Sequence, residues 1–185
     1  MSHPTSSQSQ TRTPLDRLNT AAADTAESLL LRCCGSRRWA RRIVAHRPYP
    51  DVEALLAAAD EASYDLTSGD LREALVCESA AHPLEGEPHP GVLAAHTALR
   101  AAHGAYERKF GHAFLCCLDG FAVEERLDQT LAGIRLRLEN DAEEEWAVTA
   151  EELRRLARGR LGRLATSGAI SGTGQPRMWR PSHRR

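Results

Sequence analysis

The sequence predicts an all-α fold, a compact single-domain bundle of about seven or eight helices. Three observations predict it. Alanine- and leucine-rich blocks repeat their apolar residues every three or four positions, the spacing of one face of an α-helix. Gly, Pro, Ser, Thr and Asp separate those blocks, as they do where helices start and stop. The 185 residues, 42% of them hydrophobic, suffice for one core and leave no room for two ordinary domains.

Residues 1–13 are rich in Ser, Thr, Gln and Pro; with almost nothing apolar to offset the entropy of ordering, they read as a disordered tail. A first helical block runs from about Ala21 to Cys33 and stops at Gly35. Ser36 fits as the N-cap of a second, which continues to His46, where the Arg-Pro-Tyr-Pro turn ends it. Asp51 caps a third, to about Tyr64, and Thr67 or Ser68 a fourth, to about Ser79. The prolines of AHPLEGEPHPG, residues 81–91, exclude a helix there and predict a loop.

Beyond that loop Val92, His96, Leu99, His103, Tyr106 and Phe110 alternate steps of four and three, one stripe of a helix that ends at Gly111. The apolar run Ala113 to Leu118, leading into Asp119-Gly120, reads as a buried extended connector. Val123, Leu127, Leu131, Ile134 and Leu138 form the next stripe, and Leu153, Leu156, Arg160 and Leu164 the last. The helical domain therefore spans 14–165, and residues 166–185 read as a second tail, basic towards its end.

Composition narrows the function. A formal charge of −1 and a pI of about 6.7 give no electrostatic footprint for nucleic acid or an anionic membrane, whereas a small neutral or anionic metabolite fits. Lys109 is the only lysine and no glycine-rich cradle precedes it, which disfavours pyridoxal-phosphate and phosphate-loop chemistry. The five cysteines, with two adjacent pairs and no C-x-x-C spacing, suit a reducing cytosol and a cytoplasmic protein. No apolar run approaches the roughly eighteen residues of a membrane span.

Arg160 is the residue that periodicity singles out. On a wheel of about 100° per residue it clusters with Leu153, Leu156, Ala157 and Leu164, while Arg154, Arg155 and Arg158 point away. An arginine in an apolar stripe either snorkels or meets a buried carboxylate, or else lines a pocket for a carboxylate or ureido oxygen. His82 lies in the proline-flanked loop beside Glu85, Glu87 and His89, where a rigid scaffold positions reactive groups, although most loop histidines are merely solvated. His96 and His103, about 10.5 Å apart along a helix axis, cannot easily share one metal ion, and no metal site is expected. Glu143, Glu144 and Glu145 read as a solvated first turn favoured by the helix dipole. Arg37, Arg38, Arg41 and Arg42 around Trp39 read as a solvated helix face, and Cys33-Cys34 and Cys116-Cys117 as small core residues.

Four segments, in order, resemble the 2-oxo-4-hydroxy-4-carboxy-5-ureidoimidazoline (OHCU) decarboxylase family. CCGSRRWARRIVAHRPYPDVEALL resembles its opening region; HPLEG, His82 to Gly86, its H-P-x-I-G loop; AYERKFGHAFLCCLDG, Ala105 to Gly120, its tyrosine-containing helix and connector; and RLENDAEEEWAVTAEELRRLARGRL its closing region. The resemblance implies a cofactor-independent carboxy-lyase of urate breakdown that forms (S)-allantoin, and a homodimer. It implies His82 as the acid-base group with Pro83 beside the ligand, backbone contacts from Cys116, Cys117, Leu118, Asp119 and Gly120, and Arg160 holding a substrate oxygen.

Two departures stand out. The family's S-x-x-E-Q element is absent from the shorter interval Gly86 to Arg100, and Glu85 stands where the family has an apolar residue. Glu85, Glu87 or His96 are the groups able to compensate. The rival reading keeps the fold and makes the protein a non-catalytic ligand binder or helical partner protein.

Overall fold

The computed structural model describes residues 12–80 and 90–167. Those residues form eight α-helices and one 3₁₀ turn, with no strand among them. The helices are α1 (Pro14–Thr20), α2 (Ala23–Leu31), α3 (Arg37–Ala45), α4 (Val52–Tyr64), α5 (Ser68–Ala80), α6 (Pro90–Phe110), α7 (Arg126–Arg137) and α8 (Ala142–Ser167), with the 3₁₀ turn at Val123–Glu125. None of the described helices is long and apolar enough to cross a membrane.

The caps explain most boundaries. Ser36 Oγ accepts from Trp39 N at 3.3 Å and Asp51 Oδ1 from Ala54 N at 2.8 Å, each satisfying a backbone donor that a helix start leaves orphaned. Thr67 and Asp70 exchange such bonds at the start of α5, the reciprocal pairing of a capping box. Pro90 opens α6, so the helix takes the last two residues of the expected loop, a position where proline's missing N–H costs nothing. Gly111, with φ +75°, turns the chain out of α6.

Three expectations change. The block expected from Ala21 is the single helix α2, and an unexpected helix, α1, precedes it under a Thr13–Asp16 capping box and buries Leu15 and Leu18. Val123 is 72% exposed, since the 3₁₀ turn that carries it lies outside the stripe of α7. Arg154 and Arg158 do not point into water but flank Asp60 of α4, at 2.8 and 2.5 Å.

α8 is the spine. Glu145, Thr149, Leu153, Ala157, Leu161, Leu164 and Ala165 line its buried face, and α4 and α1 pack on it while α3 bridges α2 and α4. Trp39 anchors the main core at 0% exposure, its indole N–H shared between Ala59 O at 3.0 Å and Ser63 Oγ at 3.1 Å. Around it Arg37, Arg38, Arg41 and Arg42 each face a carboxylate at the surface. The Arg-Pro-Tyr-Pro turn is clamped to the end of α1: the Asn19 side-chain amide donates to Tyr49 O and accepts from Tyr49 N, both at 2.9 Å, and Arg47 donates to Leu18 O and Ala21 O. A second, smaller core of Tyr106, Phe114 and Ile134 joins α6, the connector and α7.

Candidate functional site

The connector between α6 and α7 runs along α8 and is held from both sides. Ala113, Phe114 and Leu115 are buried; Cys116, Cys117 and Leu118 are half-buried, and Asp119 and Gly120 are exposed. The Leu115 carbonyl accepts from Arg137 Nη1 at 2.5 Å, and the Cys117 N–H donates to Glu152 Oε2 at 2.6 Å. Asp119 pairs with Arg163 of α8 at 3.0 Å and crowds Gly159, where a Cβ would strike its carboxylate. The apolar half of the run is core, as its composition implies. The two cysteines that follow are only half-buried: Cys116 packs at the edge of the second core, and the Cys117 N–H turns to Glu152.

Above the connector Glu145 is wholly buried, which corrects the reading of Glu143 to Glu145 as a solvated turn. Only the first two of the three glutamates face water; the third sits on the buried stripe of α8 with Thr149 and Leu153. Its carboxylate accepts from Arg137 Nε at 2.9 Å and Nη2 at 2.5 Å, from Asn140 Nδ2 at 2.9 Å, and from the Tyr106 hydroxyl. Burial alone would push the Glu145 carboxyl up, but the bonds from Arg137 and Tyr106 outweigh it and hold the group below the usual carboxylate range. Burial, then the bond to Glu145, pushes the Tyr106 phenol up, so it stays protonated and donates.

Arg160, one turn from the C-terminal half of the same stripe, meets a buried carboxylate. Glu78 of α5 is 6% exposed and takes the guanidinium as a fork, Nη1 to Oε1 at 2.5 Å and Nη2 to Oε2 at 2.9 Å. Nη1 also donates to the Cys33 carbonyl at 3.2 Å. Hydrogen bonding to Glu78 raises the arginine pKa further, so the charge is permanent. Cys33 and Cys34 beside it are buried, and burial pushes both thiols up to about 12, which leaves them protonated and un-nucleophilic at neutral pH.

His82, Pro83, Glu85 and Glu87 lie outside the described residues, and His96 belongs to α6 with its side chain outside them. His103 stacks edge-on against Phe114 at 5.9 Å. Of the candidates from sequence, the structure thus brings Arg160 and the connector to the same helix and adds Glu78, Glu152 and Arg163. Glu78 was detectable: Leu71, Ala74, Leu75 and Glu78 follow the helical spacing of a buried stripe. A separate cavity of about 670 Å³ opens between Arg72 and Val76 of α5, Phe110 at the end of α6, His112 just past it, and Trp146 of α8. Among the described residues no cluster of three or more His, Cys, Asp or Glu side chains could hold a metal ion.

Comparison with known proteins gives one family and one fold. A family model described as OHCU decarboxylase matches residues 19–89 and 91–162. No curated protein sequence matches the chain. The fold is similar to the crystal structure of an (S)-allantoin synthase, with a TM-score of 0.62 and 19% identity, over 83% of this chain and 54% of that one. It is also similar to the crystal structure of an OHCU decarboxylase in the presence of (S)-allantoin, with a TM-score of 0.60 and 19% identity, over 78% of this chain and 98% of that one. The chain thus spans about half the length of the allantoin synthase structure. At such identity the likeness establishes the fold.

Proposed function

The chain belongs to the OHCU decarboxylase family, and from that premise we propose that it catalyses the cofactor-independent decarboxylation of 2-oxo-4-hydroxy-4-carboxy-5-ureidoimidazoline to (S)-allantoin. The observation that carries the reading is the extent of the family match: its first segment includes His82 and its second the connector and Arg160. In the reaction the bond from the ring carbon to the carboxylate breaks, carbon dioxide leaves, and the electron pair passes into the imidazoline ring with its carbonyl. The hydroxyl on that carbon then becomes a carbonyl, while a proton adds on one face to the neighbouring ring carbon that bears the ureido group. The protein's tasks are to hold the carboxylate so that the breaking bond aligns with the π-system, to stabilise the developing charge, and to deliver that proton.

His82 is the proton donor in this reading, with Pro83 beside the ligand. Backbone groups of Cys116 to Gly120 contact the ring, and N–H groups of Arg160 meet a ring or ureido oxygen. The Cys33 and Cys34 thiols beside Arg160 take no part, since burial keeps them protonated. The test is to oxidise urate in the presence of the protein and follow the optical rotation of the allantoin formed. An accelerated, optically pure product that is lost in His82→Ala is expected, a loss of about 10²–10⁴-fold for a general acid-base group.

A second reading, a ligand binder without catalysis, is favoured by one observation: Glu78 already neutralises Arg160, in a chain that lacks the family's S-x-x-E-Q element. Racemic allantoin at the background rate, together with measurable binding of (S)-allantoin, would decide for it.

A further inference from the structure

We propose that Glu78 sets the ligand specificity of Arg160, filling the place of an anion on the guanidinium so that the site accepts a neutral carbonyl oxygen and discriminates against a carboxylate. The inference rests on the proposed function, in that Arg160 is taken to meet the ligand, and adds a residue to it that the family motifs do not include.

The geometry is that of an occupied anion site. A guanidinium carries five N–H groups. Glu78 and the Cys33 carbonyl take three of them, both on Nη1 and one on Nη2. Among the described residues, the other Nη2 hydrogen and the Nε–H are left over. Both carboxylate oxygens of Glu78 sit on the fork, the bidentate arrangement that an incoming carboxylate would itself need. The pair is shielded, with side-chain exposures of 14% for Arg160 and 8% for Glu78, so solvent screens it little and its net charge is zero at the point where a ligand arrives.

A neutral pair attracts a carboxylate weakly. It still offers hydrogen-bond donors, and a ureido or ring carbonyl can accept them without bringing a second negative charge against Glu78. Such a site also suits the chemistry. A free guanidinium clamped on the carboxylate that must depart would stabilise the ground state more than the transition state, because that charge disperses as carbon dioxide forms. Donors directed to a carbonyl gain strength as electron density moves onto the ring. Glu78 therefore keeps Arg160 off the leaving group.

Glu78→Gln keeps the shape of the side chain and removes its charge. Calorimetric titration of the wild type and of Glu78→Gln with (S)-allantoin, which is neutral, and with allantoate, its ring-opened carboxylate, reads the specificity directly. The wild type should prefer allantoin, and the variant should bind allantoate at least about tenfold more tightly while its allantoin affinity moves less than about threefold, the scale of a released charge-assisted contact. Allantoin binding with an unchanged allantoate affinity in the variant overturns the inference alone. A wild type that binds no allantoin overturns the proposed function and this inference with it.

Should Glu78→Gln fold poorly, Glu78→Ala supplies the second measurement. It leaves a carboxylate-sized space against a buried cation, so sodium formate should raise its melting temperature above that in sodium chloride of equal ionic strength and leave the wild type unmoved. An equal response of both proteins would count against an anion site at Arg160.

Discussion

Replacing Glu145 by alanine removes the only carboxylate that Arg137 touches among the described residues and leaves a guanidinium, 7% exposed, without a counter-charge. Three further groups lose an acceptor: the Tyr106 hydroxyl, the Asn140 amide and the Thr149 hydroxyl. Breaking a buried pair by deleting one partner costs about 3–5 kcal/mol. At about 2–4 °C per kcal/mol for a chain of this size, the melting temperature should fall by about 6–20 °C. Arg137→Ala should cost a similar amount, through the orphaned carboxylate and the lost hold on Leu115 O. The double variant should cost less than the sum of the two, since each single change already destroys the shared interaction. The pH dependence has a definite sign. A free glutamate titrates near 4.5 and folding lowers that value, so the carboxylate's contribution is complete above about pH 4.5 and is lost as the pH falls through the folded value. Melts of the four proteins at pH 7, and of the wild type and Glu145→Gln down to pH 3, measure both effects. Strictly additive single changes, or a Glu145→Ala protein that melts within 2 °C or so of the wild type, would refute the claim that one buried network holds α6, α7 and α8 together.

Gly35→Ala should destabilise the fold by about 1–3 kcal/mol, as overpacking does, because a Cβ there would sit 2.6 Å from the Cys77 Cβ and 3.2 Å from the Ala74 Cα; urea titration checks it, and an unchanged midpoint would mean that α5 shifts freely. Native protein treated with a thiol reagent at pH 8 should label the exposed Cys77 first and Cys33 and Cys34 only once denaturant is added, since burial pushes those two thiols up to about 12. Peptide mapping reads the order, and rapid labelling of Cys34 in the native state would contradict it.

What the sequence disclosed and what it hid divide along the distance between partners. Ser36, Asp51 and Thr67 were legible as caps because each bonds a backbone N–H or side chain only three residues on. The stripe carrying Arg160 was legible for a similar reason, since periodicity is local. Glu78 stood on a stripe of its own, but its pairing with Arg160 was not legible, as 82 positions separate the two and no pattern in either helix names the other. Glu145 was misread because three glutamates in a first turn look alike, whereas burial of the third depends on Arg137 and Tyr106, brought in by α7 and α6. α1 escaped notice because a seven-residue helix gains little from its own hydrogen bonds and forms by docking Leu15 and Leu18 into a core built elsewhere.

α8 carries Glu145 and Arg160 on one unbroken helix, and at 1.5 Å per residue their Cα atoms stand about 22 Å apart along its axis. That makes the helix a ruler. One residue gained or lost between the two positions would turn one of them by about 100° and shift it by 1.5 Å, severing either the Arg137 contact or the Glu78 contact. Length is therefore frozen along this stretch, and a lineage that sheds residues has to shed them where no partner is measured off.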